Sequence, residues 1–114
     1  MEYTKIRPKV YLAGPITGRD WNKTKERFKR VEELLEAAGY DVSNPCEHQI
    51  ENGTWGQYMR QGLKALLECD AIFVFEDWSE SKGACIEYNL ARSLSMGVIY
   101  QTDLTRIANE IMEK

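Results

Sequence analysis

Ala71-Ile72-Phe73-Val74-Phe75, then Glu76-Asp77-Trp78-Ser79-Glu80, then Ser81-Lys82-Gly83-Ala84-Cys85-Ile86-Glu87, is the stretch that decides the fold. Five apolar residues in a row leave no face for water, which is the pattern of a central parallel strand covered on both sides. Ser81 is placed to cap a helix running to about Ser95, with Gly97 beyond it. Strand, short polar loop and helix in that order are the building step of an α/β sheet.

The same step recurs on either side. Upstream, Lys9-Val10-Tyr11-Leu12-Ala13 is a short apolar run halted by Gly14-Pro15. From Asn22 to Ala38, Phe28, Val31, Leu34, Leu35 and Ala38 recur at spacings of three and four, and Gly39 is the natural residue to end that helix. Its charged run from Lys23 to Arg30 reads as a solvated face. Tyr40-Asp41-Val42-Ser43 is a strand candidate stopped by Asn44-Pro45, and Thr54 can cap a second helix reaching about Glu68. Downstream, Val98-Ile99-Tyr100 predicts a fourth strand and Thr102 opens a last helix toward the C-terminus. The pattern βαβαβαβα predicts an open parallel sheet of four or five strands with helices on both faces, flavodoxin-like, in one domain over residues 1–114.

Composition bounds the function. The chain has 114 residues with 43% hydrophobic and 29% charged, which excludes disordered and collagen-like classes. A net charge of −3 argues against a nucleic-acid polymer or an anionic membrane surface as partner. Cys46, Cys69 and Cys85 are widely spaced and the only histidine is His48, so neither a zinc site nor any other metal is expected, and the thiols suit a reducing cytoplasm. The opening Met1-Glu2-Tyr3-Thr4-Lys5 has no apolar signal region, and no apolar run approaches membrane-spanning length.

In open parallel sheets ligands bind beyond the carboxyl ends of the strands. That rule selects Gly14 to Arg19, Asn44-Pro45, Glu76 to Ser81, and Tyr100-Gln101. Gly14, Thr17, Gly18 and Arg19 precede a helix, where exposed N–H groups and a guanidinium favour a phosphate or another anion near Thr17, Arg19 and Ser81. A βα turn that needs glycine for its backbone angles explains the same residues equally well. Gly83, Ala84, Glu87 and Ala91 share one helix side, so Glu87 projects from a face almost without bulk. Close packing of helix on sheet is one reading of that face; a carboxylate aimed into a ligand cavity, kept ionised by the helix N-terminus, is the other. Trp78 can stack on a base or cover the core. His48 reads as a loop histidine, and Cys85 as a small buried apolar residue.

Taken in order, Tyr11 to Gly18, Asn44-Pro45, Cys69 to Ile72, and Trp78 followed by Ser81 to Glu87 and Ala91 resemble a family of small phage and bacterial proteins known as a domain of unknown function, the DUF4406 type. That family is in turn similar to the nucleoside 2-deoxyribosyltransferase superfamily, which includes the 2′-deoxynucleoside 5′-monophosphate N-glycosidases. The resemblance implies Glu87, four residues after Gly83, as nucleophile on the sugar, and Tyr11 as the residue that holds its carboxylate. It implies Ser81 as a phosphate contact, with Gly14, Thr17, Gly18, Arg19, Asn44, Trp78 and Gly83 around a nucleoside or nucleotide. No cofactor is implied, and a homodimer or higher homo-oligomer is expected. Trp55, Met59, Ile86 and Leu90 supply apolar surface for it on the second and third helices.

The chain departs from the resembled enzymes at Gly62, where they carry an aspartate that assists the leaving base. Asp77, Glu76 or Glu80 is the residue expected to substitute. Two functions are therefore expected in competition: an N-glycosidase or deoxyribosyltransferase acting through Glu87, and a nucleotide-sequestering protein of weak or no turnover. An interaction module without a small ligand is a third, disfavoured by the anion-friendly loop and Ser81.

Overall fold

The computed structural model describes residues 7–112, so residues 1–5, read above for a leader, lie outside it. The elements are β1 (Lys9–Ala13), α1 (Trp21–Ala37), β2 (Asp41–Ser43), α2 (Trp55–Leu67), β3 (Ala71–Val74), α3 (Lys82–Ser93), β4 (Gly97–Tyr100) and α4 (Thr102–Met112). Two single-turn 3₁₀ segments, Pro45–Glu47 and Trp78–Glu80, lie in loops that the sequence reading left without structure. The sheet has four strands in the order β2-β1-β3-β4, all parallel.

The helices start where their caps predict. The Thr54 side chain accepts from the Gln57 N–H (3.2 Å) while the Gln57 side chain accepts from the Thr54 N–H (2.9 Å), a reciprocal box that fixes the start of α2. The Ser81 hydroxyl accepts from the Ala84 N–H (3.1 Å) at the start of α3. The Asp20 carboxylate accepts from the Lys23 N–H (2.9 Å) and starts α1 at Trp21, one residue earlier than the apolar spacing suggested. The end of α3 differs from expectation: Ser95 takes the left-handed turn (φ 57°), and Gly97 begins β4 instead.

Side chains alternate along the strands, and each face buries its own core. Val10 and Leu12 of β1 and Phe73 of β3 pack with Phe28, Val31 and Leu35 of α1 and Ile107 of α4. Tyr11 and Ala13 of β1 and Ile72 and Val74 of β3 pack with Leu66 of α2 and Ala84 and Ala91 of α3. α1 and α4 therefore cover one face, and α2 and α3 the other.

The strand order reverses between β1 and β3, because β1 has β2 on one side and β3 on the other while the chain leaves them toward opposite faces. Gly14 and Phe75 follow these two strands, and a β-carbon on Gly14 would stand 2.5 Å from Cδ2 of Phe75. Only glycine lets the chain turn across that ring. The crevice this divergence opens is where the remaining residues of interest converge.

Candidate active site

Tyr11 sits mid-strand in β1 and points to the α2/α3 face; Glu87 reaches back to it from α3. The phenol donates to Glu87 Oε2 at 2.5 Å, and both residues are buried, with 2% and 7% exposure. Oε1 of Glu87 takes no hydrogen bond from the described residues. Burial pushes the Glu87 carboxyl from its ordinary 4.5 up to about 7, with the Tyr11 bond pulling the other way. Burial, reinforced by the neighbouring Glu87 charge, drives the Tyr11 phenol far above its ordinary range, so it remains a donor. The expectation that the helix N-terminus keeps Glu87 ionised is corrected here. Glu87 lies beyond the first turn of α3, where the helix field has faded, and desolvation outweighs it.

Gly62 of α2 closes over the same pair. A β-carbon there would lie 2.7 Å from the Tyr11 hydroxyl and 2.9 Å from Glu87 Oε2. A side chain at this position, carboxylate included, would occupy the space of the hydrogen bond itself.

The pair opens on a cavity of about 370 Å³ lined mainly by apolar and aromatic groups. Of the residues singled out in the sequence, Tyr11, Gly14, Thr17, Ser81, Gly83 and Glu87 line it. A β-carbon on Gly83 would come 2.9 Å from Met59 Sδ, a flexible group able to yield, so this glycine keeps the wall open more than it is sterically required.

Four others are placed elsewhere. Arg19 is ion-paired with Asp77 (3.3 Å) and Glu80 (3.2 Å), which removes its guanidinium from the anion site drawn at Thr17 and Ser81. Gly18 is a left-handed turn residue (φ 78°) with open space around it. Asn44 is buried, donating to Glu32 Oε1 (3.0 Å) and accepting from the Cys46 N–H (2.9 Å), and so shapes the loop after β2 without lining the cavity. Trp78 stacks on Tyr88 with ring centroids 4.3 Å apart, against the α2/α3 core.

The acidic substitutes also fall away from the cavity. Arg27 grips Asp77 with two bonds (2.6 and 3.0 Å) and, together with Arg19, holds its carboxyl below the usual range. Glu80 is held by Arg19, and Glu76 is exposed outside the lining. Cys46 and Cys69 are buried, and desolvation pushes both thiols up to about 11, so neither is primed to react. Cys85 is half-buried instead of enclosed as expected.

The wall also contains Trp21, Gln49, Tyr58 and Gln61, which the sequence reading does not single out, together with His48, read as a loop histidine, and Trp55 and Met59, assigned to a dimer surface. Trp21 and Trp55 open α1 and α2, and helix N-termini in such sheets point to the ligand end, so position alone could have marked them. Among the described residues no three His, Cys, Asp or Glu side chains gather as a metal would need, and no helix is long and apolar enough to cross a membrane.

These features define a doubly wound, four-stranded α/β domain of flavodoxin-like type with a carboxyl–phenol pair facing a cavity at the switch in strand order. Within that class, the chain belongs to the family described as a domain of unknown function, DUF4406, whose model matches residues 8–100. The match runs from β1 to β4 and so includes Tyr11, Gly62 and Glu87. Comparison with curated proteins gives no match.

Proposed function

We propose that this protein cleaves the N-glycosidic bond of a 2′-deoxynucleotide, passing the sugar to water or to a second base, with Glu87 as nucleophile. The observation that carries the reading is the Tyr11–Glu87 bond at 2.5 Å beside the cavity. A nucleophilic carboxylate must be oriented, and this one has Oε2 tied to the phenol and Oε1 left to attack C1′. Above about pH 7 it is ionised, and its burial strips the water that would blunt it. As the glycosyl ester forms, negative charge leaves the carboxylate; as the C1′–Oε1 bond breaks, the charge returns to a carboxylate whose other oxygen, Oε2, already accepts from Tyr11.

The cavity volume, about 370 Å³, lies within the range of small-ligand sites, roughly 300–1,000 Å³. Thr17 and the N-terminus of α3 at Ser81 offer donors to a 5′-phosphate, and Trp21 and Trp55 offer faces to a base. The resemblance to deoxyribosyltransferases supports the same assignment of Glu87, Tyr11 and Ser81. A nucleotide-sequestering protein is the second reading, favoured by one observation: Asp77 and Glu80 are bound to arginines and Gly62 offers no acid, which leaves none of the carboxylates first considered for the leaving base within reach.

The deciding experiment is incubation with deoxynucleotides and deoxynucleosides of each base, following free base by chromatography. Base released by wild type and lost in Glu87→Gln supports the glycosidic reading. Saturable nucleotide binding with no base released from any substrate replaces it with the sequestering one. We also propose a homodimer. Trp55 and Ile86 are 43% and 37% exposed on α2 and α3, whereas Met59 and Leu90 of the expected surface are partly buried. A monomeric mass by light scattering at high concentration would remove that part.

A further inference from the structure

Cleaving an N-glycosidic bond leaves an electron pair on the departing base, and a neutral base leaves far faster if it takes up a proton as the bond breaks. Four titratable residues line the cavity: Tyr11, His48, Tyr58 and Glu87. Three are committed. Glu87 is the attacking group and Tyr11 donates to it. The Tyr58 hydroxyl accepts from the Ile50 N–H (2.9 Å) and donates to the Ile50 carbonyl (3.0 Å), so its proton holds the loop closed.

His48 is different. Its main chain is fixed at both ends: the N–H donates to the Pro45 carbonyl (3.3 Å), and the carbonyl accepts from Gln61 Nε2 of α2 (2.8 Å). Its ring has no hydrogen bond or ion pair among the described residues. The backbone is thus pinned while the imidazole stays uncommitted, on the wall of a site that lacks a free acid.

Location fits the chemistry. His48 follows the 3₁₀ turn after β2, and β2 lies on the opposite side of β1 from β3, over which α3 packs. Glu87 comes from the α3 side and His48 from the β2 side, so a sugar between them would meet the nucleophile on one side and expel its base toward the other.

We propose that His48 is the proton donor to the leaving base, a proposal that rests on the glycosidic reading above. Glu87 Oε1 forms a bond to C1′ as the C1′–N bond breaks. The bonding pair moves to the base, which takes the imidazolium proton and departs neutral. The neutral imidazole then takes a proton from the water that attacks C1′, and the ester oxygen returns to Glu87 as carboxylate. The sum is nucleotide plus water giving base plus sugar phosphate, with His48 and Glu87 restored.

The test compares wild type with His48→Gln on two matched pairs. One is 2′-deoxyguanosine 5′-monophosphate and its N7-methylated form, whose base departs without needing a proton. The other is 2′-deoxyuridine 5′-monophosphate and its 5-fluoro form, whose base departs more readily as an anion. His48→Gln should slow release from the unmodified member by on the order of 10²-fold, as loss of a general acid does. It should leave the activated member within about threefold, a split that a merely structural residue would not give. Equal losses on both members, or none on either, overturn the proposal while the glycosidic reading stands. Failure of wild type to release base from any deoxynucleotide or deoxynucleoside, these pairs included, overturns that reading and this proposal together. His48 is exposed, so the variant is expected to fold, and circular dichroism checks that it has.

Discussion

Gly62 stands against Tyr11 so closely that a β-carbon on it would lie 2.7 Å from the phenol oxygen, with Glu87 Oε2 only slightly farther at 2.9 Å. Alanine is worth up to about 1 kcal/mol more than glycine inside a helix, but here it would push into a rigid ring and a buried carboxyl. Gly62→Ala should therefore lose about 1–3 kcal/mol in urea unfolding, since overpacking outweighs propensity. Gly56, in the same helix with nothing near its β-position, is the control: Gly56→Ala should gain a few tenths of a kcal/mol to about 1. A Gly62→Ala protein as stable as wild type would show that the pair gives way freely.

Glu87 gives stability a pH dependence of definite sign. Its carboxyl is raised in the fold to about 7 from an ordinary 4.5, so between those values the unfolded chain is ionised there while the folded protein is not. Stability from this group is complete below about 4.5 and declines as pH rises through 7. The difference between wild type and Glu87→Gln should shift by about 3 kcal/mol in favour of the glutamine between pH 4.5 and pH 8. Parallel stability curves for the two proteins would mean that Glu87 titrates normally.

Tyr11→Phe removes the only side-chain donor to the Glu87 carboxyl among the described residues. The carboxylate form loses most, so the glutamate should titrate above its wild-type value of about 7, and the pH at which base release rises should move up with it. The stability loss should be about 1–3 kcal/mol at pH 8 and smaller at pH 5, where the neutral carboxyl needs the bond less. Carboxyl chemical shifts followed by NMR would read the titration directly, and an unmoved midpoint would contradict the role given to Tyr11.

Asp77→Ala tests whether the acidic loop takes part in chemistry. Removing Asp77 strands Arg27 and Arg19, and a loss of about 1–3 kcal/mol at pH 7 is expected from the paired, partly buried site. Because Asp77 is held below the usual carboxylate range, that contribution should fade as pH falls through the acid region. Base release per folded molecule should stay within a few-fold of wild type. A drop comparable with that of Glu87→Gln would return Asp77 to the reaction.

Where local rules suffice, the sequence is readable. The apolar run at Ala71, the caps at Thr54 and Ser81, and the left-handed stop at Gly39 each depend on a few neighbouring residues, and they appear in the structure where the chain puts them. Strand order was not readable because it depends on which edges meet across the whole chain. The residues of the cavity divide on the same line. Gly83 and Glu87 follow from helix spacing, whereas Tyr11 is marked only by the family resemblance. Arg19 could not be judged alone, since its binding power is spent on Asp77 and Glu80, which lie far along the chain. His48 was passed over because only the fold of β2 beside β1 brings that loop onto the wall. Gly62 was noticed as a missing acid, whereas its contact with Tyr11 and Glu87 makes it the space their bond requires.

The grip of Arg27 and Arg19 on Asp77 also ties the start of α1 to the loop after β3. Arg27 lies over the Phe75 ring at 4.3 Å while holding Asp77 twice, so the first turns of α1 are riveted to the loop beyond β3 by charge as well as packing. Among the described residues the segment from residue 48 to residue 53 is fastened by neutral hydrogen bonds and no ion pair: His48 N–H to Pro45, Gln49 Nε2 to Cys46, the Tyr58 hydroxyl with Ile50 and Gln49, Gly53 N–H to Ile50, and Gln61 to the His48 carbonyl. The start of α1 is thus held by ion pairs, and the loop at 48–53 by neutral bonds alone. Amide hydrogens over 48–53 should therefore exchange with solvent before those of α1. The cavity that Glu87 faces is walled by the loop carrying His48, while the ion-paired Asp77 stands outside it.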